Sequence, residues 1–301
     1  MNDCLIVVGN GFDRFHGIPS SYWDFKKYLE SRYNTDDFLE KIERFIAEDE
    51  LWCNFETALG NLEEDELREY FSDEIKSYGD DDWSDSYHHA YQFAIEEGLS
   101  FASQIPEYLK DWIRALDIDD IAPQLSTNII SPYAFYITFN YTRTLEDVYD
   151  IPDRQICHIH GSVDDFKELI VGHGDKSSFT RPPLYSYEED DDIRLVEGEE
   201  LIAEYFKKTY KNVEKIIKQN KDIWNGLKKV KKVYILGHSL SDIDMPYFEK
   251  IYQSVHPKCK WFVSYYEPED KHYFKNVLNN IGISKDNIFL IRLDELALYS
   301  R

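Results

Sequence analysis

Cys4-Leu5-Ile6-Val7-Val8, followed at once by Gly9-Asn10-Gly11, is the stretch from which the rest of the chain is read. Five apolar residues in a row, without polar alternation, predict a parallel strand covered on both faces. A glycine turn directly after it predicts a crossover that leaves from the strand's carboxyl end. Four further runs extend the pattern. Phe135 to Phe139 ends at Asn140, Gln155 to Ile159 ends at His160-Gly161, Lys232 to Leu236 ends at Gly237, and Lys260 to Tyr265 follows. Phe289 to Leu293 is a candidate sixth. The expected fold class is α/β, a Rossmann-like, mostly parallel sheet. Four of the runs end in small, polar or histidine residues. Open α/β sheets bind ligands outside the carboxyl ends of their strands, so these four ends are expected to face one crevice.

The chain is expected to form a single α/β domain over residues 1–301 with two insertions. The first, about 20–130, shows helical spacing at Tyr22, Phe25, Tyr28 and Leu29, at Phe38, Ile42, Phe45 and Ile46, and at Leu109, Trp112, Ile113 and Leu116. The second, about 164–230, reads as a loop up to Gly198. A long amphipathic helix follows, with Ile202, Phe206, Val213, Ile217 and Trp224 on one stripe.

A 43% hydrophobic fraction over 301 residues can fill a sizeable core. The formal net charge of -24 repels phosphate backbones, so direct nucleic-acid binding is not expected. Asp80 to Asp82 and Glu188 to Asp192 read as solvated acidic blocks, and the lysines between Lys207 and Lys232 as a solvated basic face. Cys4, Cys53, Cys157 and Cys259 have no metal or redox spacing, and Cys4 and Cys157 read as buried thiols. A cytoplasmic protein is expected, with no signal peptide and no membrane span.

Four motifs sit at the strand ends. In Gly9-Asn10-Gly11-Phe12-Asp13, followed by Arg14-Phe15-His16-Gly17-Ile18-Pro19, the glycines let backbone approach a phosphate, or serve an ordinary turn. The third glycine comes too late for the dinucleotide fingerprint of hydride-transfer enzymes. In Thr138-Phe139-Asn140-Tyr141-Thr142, Asn140 is either a turn residue or an amide that orients a ligand or water. Thr142 or Thr144 is a candidate helix cap. In His158-Ile159-His160-Gly161, alternation puts both histidines on one face. His158 reads as a core histidine, and His160, beside a glycine, as a proton-transfer group. A metal site using His158, His160, His173 and His238 is the alternative, but the segment holds no carboxylate, and no metal is expected. In Gly237-His238-Ser239-Leu240-Ser241-Asp242-Ile243-Asp244, Ser239 or Asp244 is placed to bond ribose hydroxyls, and Ser241 or Asp242 to cap a helix.

Together GNGFDRFHGIPSSYWDF, WCNFE, ITFNYTRTLE, HIHG and LGHSLSDIDMPYF resemble the AbiH family of bacterial abortive-infection proteins. More distantly, Gly17-Ile18-Pro19, Thr138-Phe139-Asn140, His160-Gly161 and Gly237-His238-Ser239-Leu240 resemble the sirtuin-like NAD-binding superfamily. That resemblance implies that Asn140 and His160 are catalytic. It also implies that Gly9, Asn10, Gly11, Phe12, Asp13, His16, Thr138, Gly161, Gly237, Ser239 and Asp244 line the nucleotide site. Asn10, Asp13 and Thr142 depart from the superfamily's usual alanine, serine and aspartate, and no four-cysteine zinc module is present. The implied activity is therefore cleavage of NAD, as substrate, at the nicotinamide–ribose bond in phage defence. The implied partners are NAD or a related nucleotide, a phage-derived trigger and a second copy of the chain. Two other classes stay open, a metal-dependent hydrolase or nuclease and a nucleotide sensor without catalysis. An NAD-cleaving site is expected to be gated, with the helical insertion or the segment 164–198 as lid.

Overall fold

The structure is a computed structural model that describes residues 3–47, 51–79, 84–165, 169–178, 180, 182–187 and 192–296. The acidic block Asp80 to Asp82, and the block from Glu188 as far as Asp191, lie outside the described residues. The chain forms two compact units. The first comprises Met1–Ser21, Lys110–Ile170 and Asn212–Arg301, and the second Tyr22–Leu109 and Val171–Lys211.

The first unit is built on six parallel strands, β1 (Cys4–Val8), β2 (Phe135–Thr138), β3 (Ile156–His158), β4 (Lys232–Leu236), β5 (Lys260–Tyr265) and β6 (Ile288–Arg292). Their order is β3-β2-β1-β4-β5-β6, which makes the sheet Rossmann-like. Every pairing is parallel, where the sequence suggested only mostly so. The apolar run of β1 has the expected cause. Leu5 and Val7 join a core with Val233, Ile235, Val263, Tyr247, Phe248 and Ile251, while Ile6 and Val8 face a second core with Phe12, Tyr136, Leu145 and Leu236. A strand buried on both faces has no use for polar residues.

The strand order reverses between β1 and β4. Chain crossovers run outward from β1 to β2 and β3, then return to β4 and continue the other way. Ligands of open α/β sheets commonly bind beyond the strand ends at such a reversal. Val8 lies opposite Thr138 on one side and Leu236 on the other, so the turns after β1, β2 and β4 start level.

Three local differences from the sequence reading have physical reasons. The stripe from Ile202 to Trp224 is not one helix but three, Ile193–Lys208, Val213–Gln219 and Lys221–Gly226. The break is marked by Asn212, whose side chain accepts from the Lys215 N–H and so starts a new helix. The first helix belongs to the second unit and the other two to the first. Helical structure in the first long stretch ends at Ala115, and residues 116–134 carry no helix. Leu125 and Ile130 from that segment instead pack into the core beside β2. Cys4 and Cys157 are half-buried rather than fully buried. Even so, desolvation pushes the Cys4 thiol up to about 11 and that of Cys157 to about 12.

The second unit is helical, and its core includes Phe25, Leu29, Phe38, Ile42, Phe45, Trp52 and Phe55. Two basic residues tie distant segments of it together. Lys211 Nζ, fully buried, donates to Glu56 Oε2 at 2.8 Å, and Arg68 bridges Glu64 and the buried Glu199.

Candidate functional site

The turn after β1 and the turn after β4 interlock through their backbones. The Gly9 N–H donates to Leu236 O at 3.1 Å, and the Gly11 N–H to Gly237 O at 2.7 Å. A side chain at Gly9 would stand 2.8 Å from the His238 Cα, and one at Gly11 would stand 2.8 Å from the Gly237 carbonyl oxygen. Gly237 has φ +66, and a Cβ there would lie 2.0 Å from the Phe12 nitrogen. The glycines thus supply close approach of two chains. Their N–H groups are spent within the protein, not pointed at an anion.

A short helix, Asn10–Phe15, follows Gly9 and carries Phe12 and Asp13 inward. Asp13 is 1% exposed. Its Oδ2 accepts from the Thr142 hydroxyl at 2.5 Å, while Oδ1 makes no hydrogen bond among the described residues. Thr142 therefore holds Asp13 instead of capping the following helix, Thr144–Asp147, which starts at Arg143 without a side-chain cap. Burial raises the Asp13 carboxyl to about 6, against the opposing pull of Thr142, Thr144 and Asn140. His16, at the end of the same short helix, has both ring nitrogens occupied. Tyr149 Oη accepts from the Gln124 and Leu125 N–H groups, so its own proton goes to His16 Nε2. The Nδ1–H then donates to Phe12 O at 2.7 Å. Burial holds this neutral ring below the usual histidine value.

Asn140 lies just past β2 and is buried. Its side-chain amide donates to Gly9 O at 3.1 Å, and its N–H to Thr138 Oγ1 at 3.0 Å. It therefore links the ends of β1 and β2. Thr138 serves as its backbone acceptor, and Asn10 accepts from the Ser20 hydroxyl.

His158, the last residue of β3, and His160 do not share a face. β3 ends at His158, and alternation ends with it. His158 Nδ1 lies 3.2 Å from the Asn140 carbonyl and Nε2 lies 2.8 Å from Glu146 Oε1, so both nitrogens meet acceptors. His160 follows in a turn made possible by Gly161 at φ +87. It packs against the edge of Phe139 and against Tyr247, with Nε2 3.8 Å from Asp244 Oδ1. His238 approaches the other oxygen of Asp244, Nε2 to Oδ2, at 3.5 Å. Its Nδ1 accepts from the Leu240 N–H at 2.9 Å, which leaves its proton on Nε2, toward the carboxylate. Leu240 reaches this position in a left-handed conformation, φ +55, which costs a buried leucine about 1–2 kcal/mol. Backbone strain of this kind tends to be held where it positions a functional group. Phe139 forms the wedge between the two imidazoles, stacked on Phe248. Neither Ser241 nor Asp242 caps the helix Met245–Ser254. Asp244 occupies that position, and Ser241 donates to its Oδ2 at 3.3 Å. Ser239 is exposed beside this cluster in sequence.

A model of bacteriophage abortive infection AbiH proteins matches residues 5–265. The chain belongs to the AbiH family. Neither curated proteins nor solved structures give a match. The family match spans all four strand-end motifs and gives this AbiH chain a role in phage abortive infection. Among the described residues, no group of three or more His, Cys, Asp or Glu side chains is arranged to hold a metal ion. No helix among them is long and apolar enough to cross a membrane. Glu146 was given no role from sequence, and Thr142 and His238 were given other ones, a helix cap and a metal ligand. Glu146 is found only through its pairing with His158, and Thr142 through Asp13. His238 carried a signal, since it stands at a strand end beside a glycine, as His160 does.

Proposed function

We propose that this AbiH chain is an NAD+ glycohydrolase that cleaves the nicotinamide–ribose bond during phage abortive infection. The observation that carries the proposal is the approach of His160 to the buried carboxylate of Asp244, at the same end of the sheet as Asn140. A buried imidazole–carboxylate pair is suited to take a proton and to stabilise the imidazolium that results. The likeness of Thr138-Phe139-Asn140, His160-Gly161 and Gly237-His238-Ser239-Leu240 to sirtuin-like segments supports NAD as the nucleotide.

In the proposed reaction the bond between ribose C1′ and the nicotinamide ring nitrogen breaks. The electron pair goes to that nitrogen and neutralises its positive charge. The oxocarbenium-like sugar takes up water, whose proton passes to His160. The products are nicotinamide and ADP-ribose. Asn140 orients the carboxamide or the water. Asp244 fixes His160, and His238 fixes Asp244. Asp13, with its carboxyl raised to about 6, is a further group able to exchange a proton near neutral pH. The ribose hydroxyls fall to Ser239, and the close-packed turns at Gly9, Gly11 and Gly237 bound the nucleotide on one side.

His160 and Asn140 are both buried, so substrate access needs an opening. The Ile170 N–H donates to His160 O, and the Tyr141 hydroxyl to Ile170 O, which ties Ile170 to the turns after β2 and β3. A closed resting site suits an activity that would kill its host if unregulated.

The test is release of nicotinamide from NAD by purified protein, with and without phage lysate, followed by chromatography. Release is expected with lysate, and Asn140→Ala and His160→Ala are expected to lower it about 100- to 10,000-fold. No release under either condition overturns the activity. Equal release by both variants overturns the residue roles.

A further inference from the structure

The first unit holds a concave site apart from the strand-end residues. The helices Val213–Gln219 and Lys221–Gly226 and the far end of Met245–Ser254 surround a groove of about 520 Å³. Grooves of about 300–1,000 Å³ accommodate small ligands. Lys218, Lys221, Lys228 and Lys250 line this one, together with the amides Asn225 and Gln253. No acidic side chain is among its lining residues. None of the four lysines forms an ion pair among the described residues.

That composition runs against the chain as a whole. The protein has 58 acidic and 34 basic residues, so a surface lysine has many carboxylates to choose from. Lys41, Arg68 and Arg143 each take two or more. Four ammonium groups lining one hollow with no counter-charge raise one another's electrostatic energy, and an anion placed among them lowers it. The lining side chains that hydrogen-bond through nitrogen can all donate, which suits phosphate oxygens.

We propose that this groove binds a compact polyphosphate, either inorganic triphosphate or the triphosphate of a nucleotide. Compactness follows from the surroundings. A net charge of -24 repels the parts of an extended nucleic-acid backbone that would run beyond the groove. A ligand whose charge is confined to the hollow avoids that cost. The groove also shares an element with the strand-end site. Asp244 starts the helix Met245–Ser254, and Lys250, Gln253 and Ser254 lie in its later turns. The ten-residue helix spans about 15 Å.

Titration calorimetry on the full chain tests the proposal, with inorganic triphosphate, ATP, adenosine and a single-stranded oligonucleotide as probes. Triphosphate and ATP are expected to bind with one site per chain and adenosine not at all. Lys218→Glu with Lys221→Glu should weaken triphosphate about tenfold or more. Lys228→Gln with Lys250→Gln, which removes charge without reversing it, should weaken it less. Asn140→Ala should leave triphosphate affinity unchanged, which separates this groove from the strand-end site. Absence of triphosphate binding overturns the proposal, as does unchanged affinity in both lysine variants. An oligonucleotide that binds more tightly than triphosphate overturns the compact ligand.

Discussion

His160 Nε2 stands 3.8 Å from Asp244 Oδ1, although the two residues follow strands that β2 and β1 separate. The turn after β3 and the turn after β4 reach toward each other across the sheet's reversal point, over the edge of Phe139. One carboxylate thereby lies within ion-pairing distance of two imidazoles. His238 can act on the other oxygen because Leu240 fixes its tautomer.

In the proposed reaction Asp244 positions His160. Asp244→Asn should lower kcat for nicotinamide release about 100-fold or more while KM changes little, because the ring is still present but loses its partner in the charged state. His238→Gln should cost less, since Asp244 remains. Steady-state kinetics of the two variants against NAD distinguishes them, and a rise in KM with unchanged kcat in Asp244→Asn would contradict the role.

Asp13 makes stability depend on pH in an uncommon direction for a carboxyl group. Its folded value, about 6, lies above the ordinary 3.8, so the native state holds the proton more tightly than the unfolded chain. The resulting stabilisation is complete below about pH 4 and is lost as pH rises through 6. Asp13→Asn cannot ionise and should be more stable than the parent at pH 7, by about 3 kcal/mol at most, with the gap closing toward pH 4. Denaturant unfolding at several pH values reads this difference directly. His16 acts in the opposite sense, its lowered value costing stability as pH falls, but it contributes equally to both proteins.

Gly237→Ala should unfold the first unit or leave it insoluble. The added Cβ would press on the Phe12 nitrogen at 2.0 Å and on Gly11 C at 2.4 Å, at a left-handed φ. Gly226→Ala is the matched control. That residue ends a helix, meets nothing within 4 Å and should stabilise the protein by about 0.5–1 kcal/mol. Comparable melting temperatures for the two variants would remove the case for interlocked turns.

The pair of Lys211 and Glu56 gives an asymmetric expectation. The lysine side chain is 0% exposed and the glutamate 15%. Glu56→Gln takes a carboxylate away from a buried ammonium and should destabilise by about 3–5 kcal/mol. Lys211→Met replaces the charge with apolar bulk, and the remaining carboxylate is nearer to water, so its cost should be smaller. Thermal melts of the two variants, ranked against the parent, check the order.

The sheet was legible because its strands are buried on both faces and so appear as unbroken apolar runs. Gly9 and Gly237 directly follow β1 and β4, as the apolar runs indicated, whereas β2 stops at Thr138 and β3 at His158, two residues short of Asn140 and His160. What happens after the stop was not legible. His158 and His160 alternate on paper, but β3 ends between them and they turn to different carboxylates, Glu146 and Asp244. Both carboxylates are remote in sequence from the turn they serve, and no local periodicity connects them. The helix break at Asn212 was within reach. An asparagine followed by an apolar residue at a new helical phase is a start signal, and the apolar stripe across it hid that signal.

The mutual grip of Gly9, Gly11 and Gly237 has a mechanical consequence. Backbone hydrogen bonds and contacts too tight for a single methyl group make the ends of β1 and β4 one body. They cannot part without breaking the sheet at its centre. The crevice therefore has one fixed jaw. Asn140, whose amide donates to Gly9 O, is bound to that jaw, so any widening that the proposed nucleotide needs falls to the turn after β3, which carries His160.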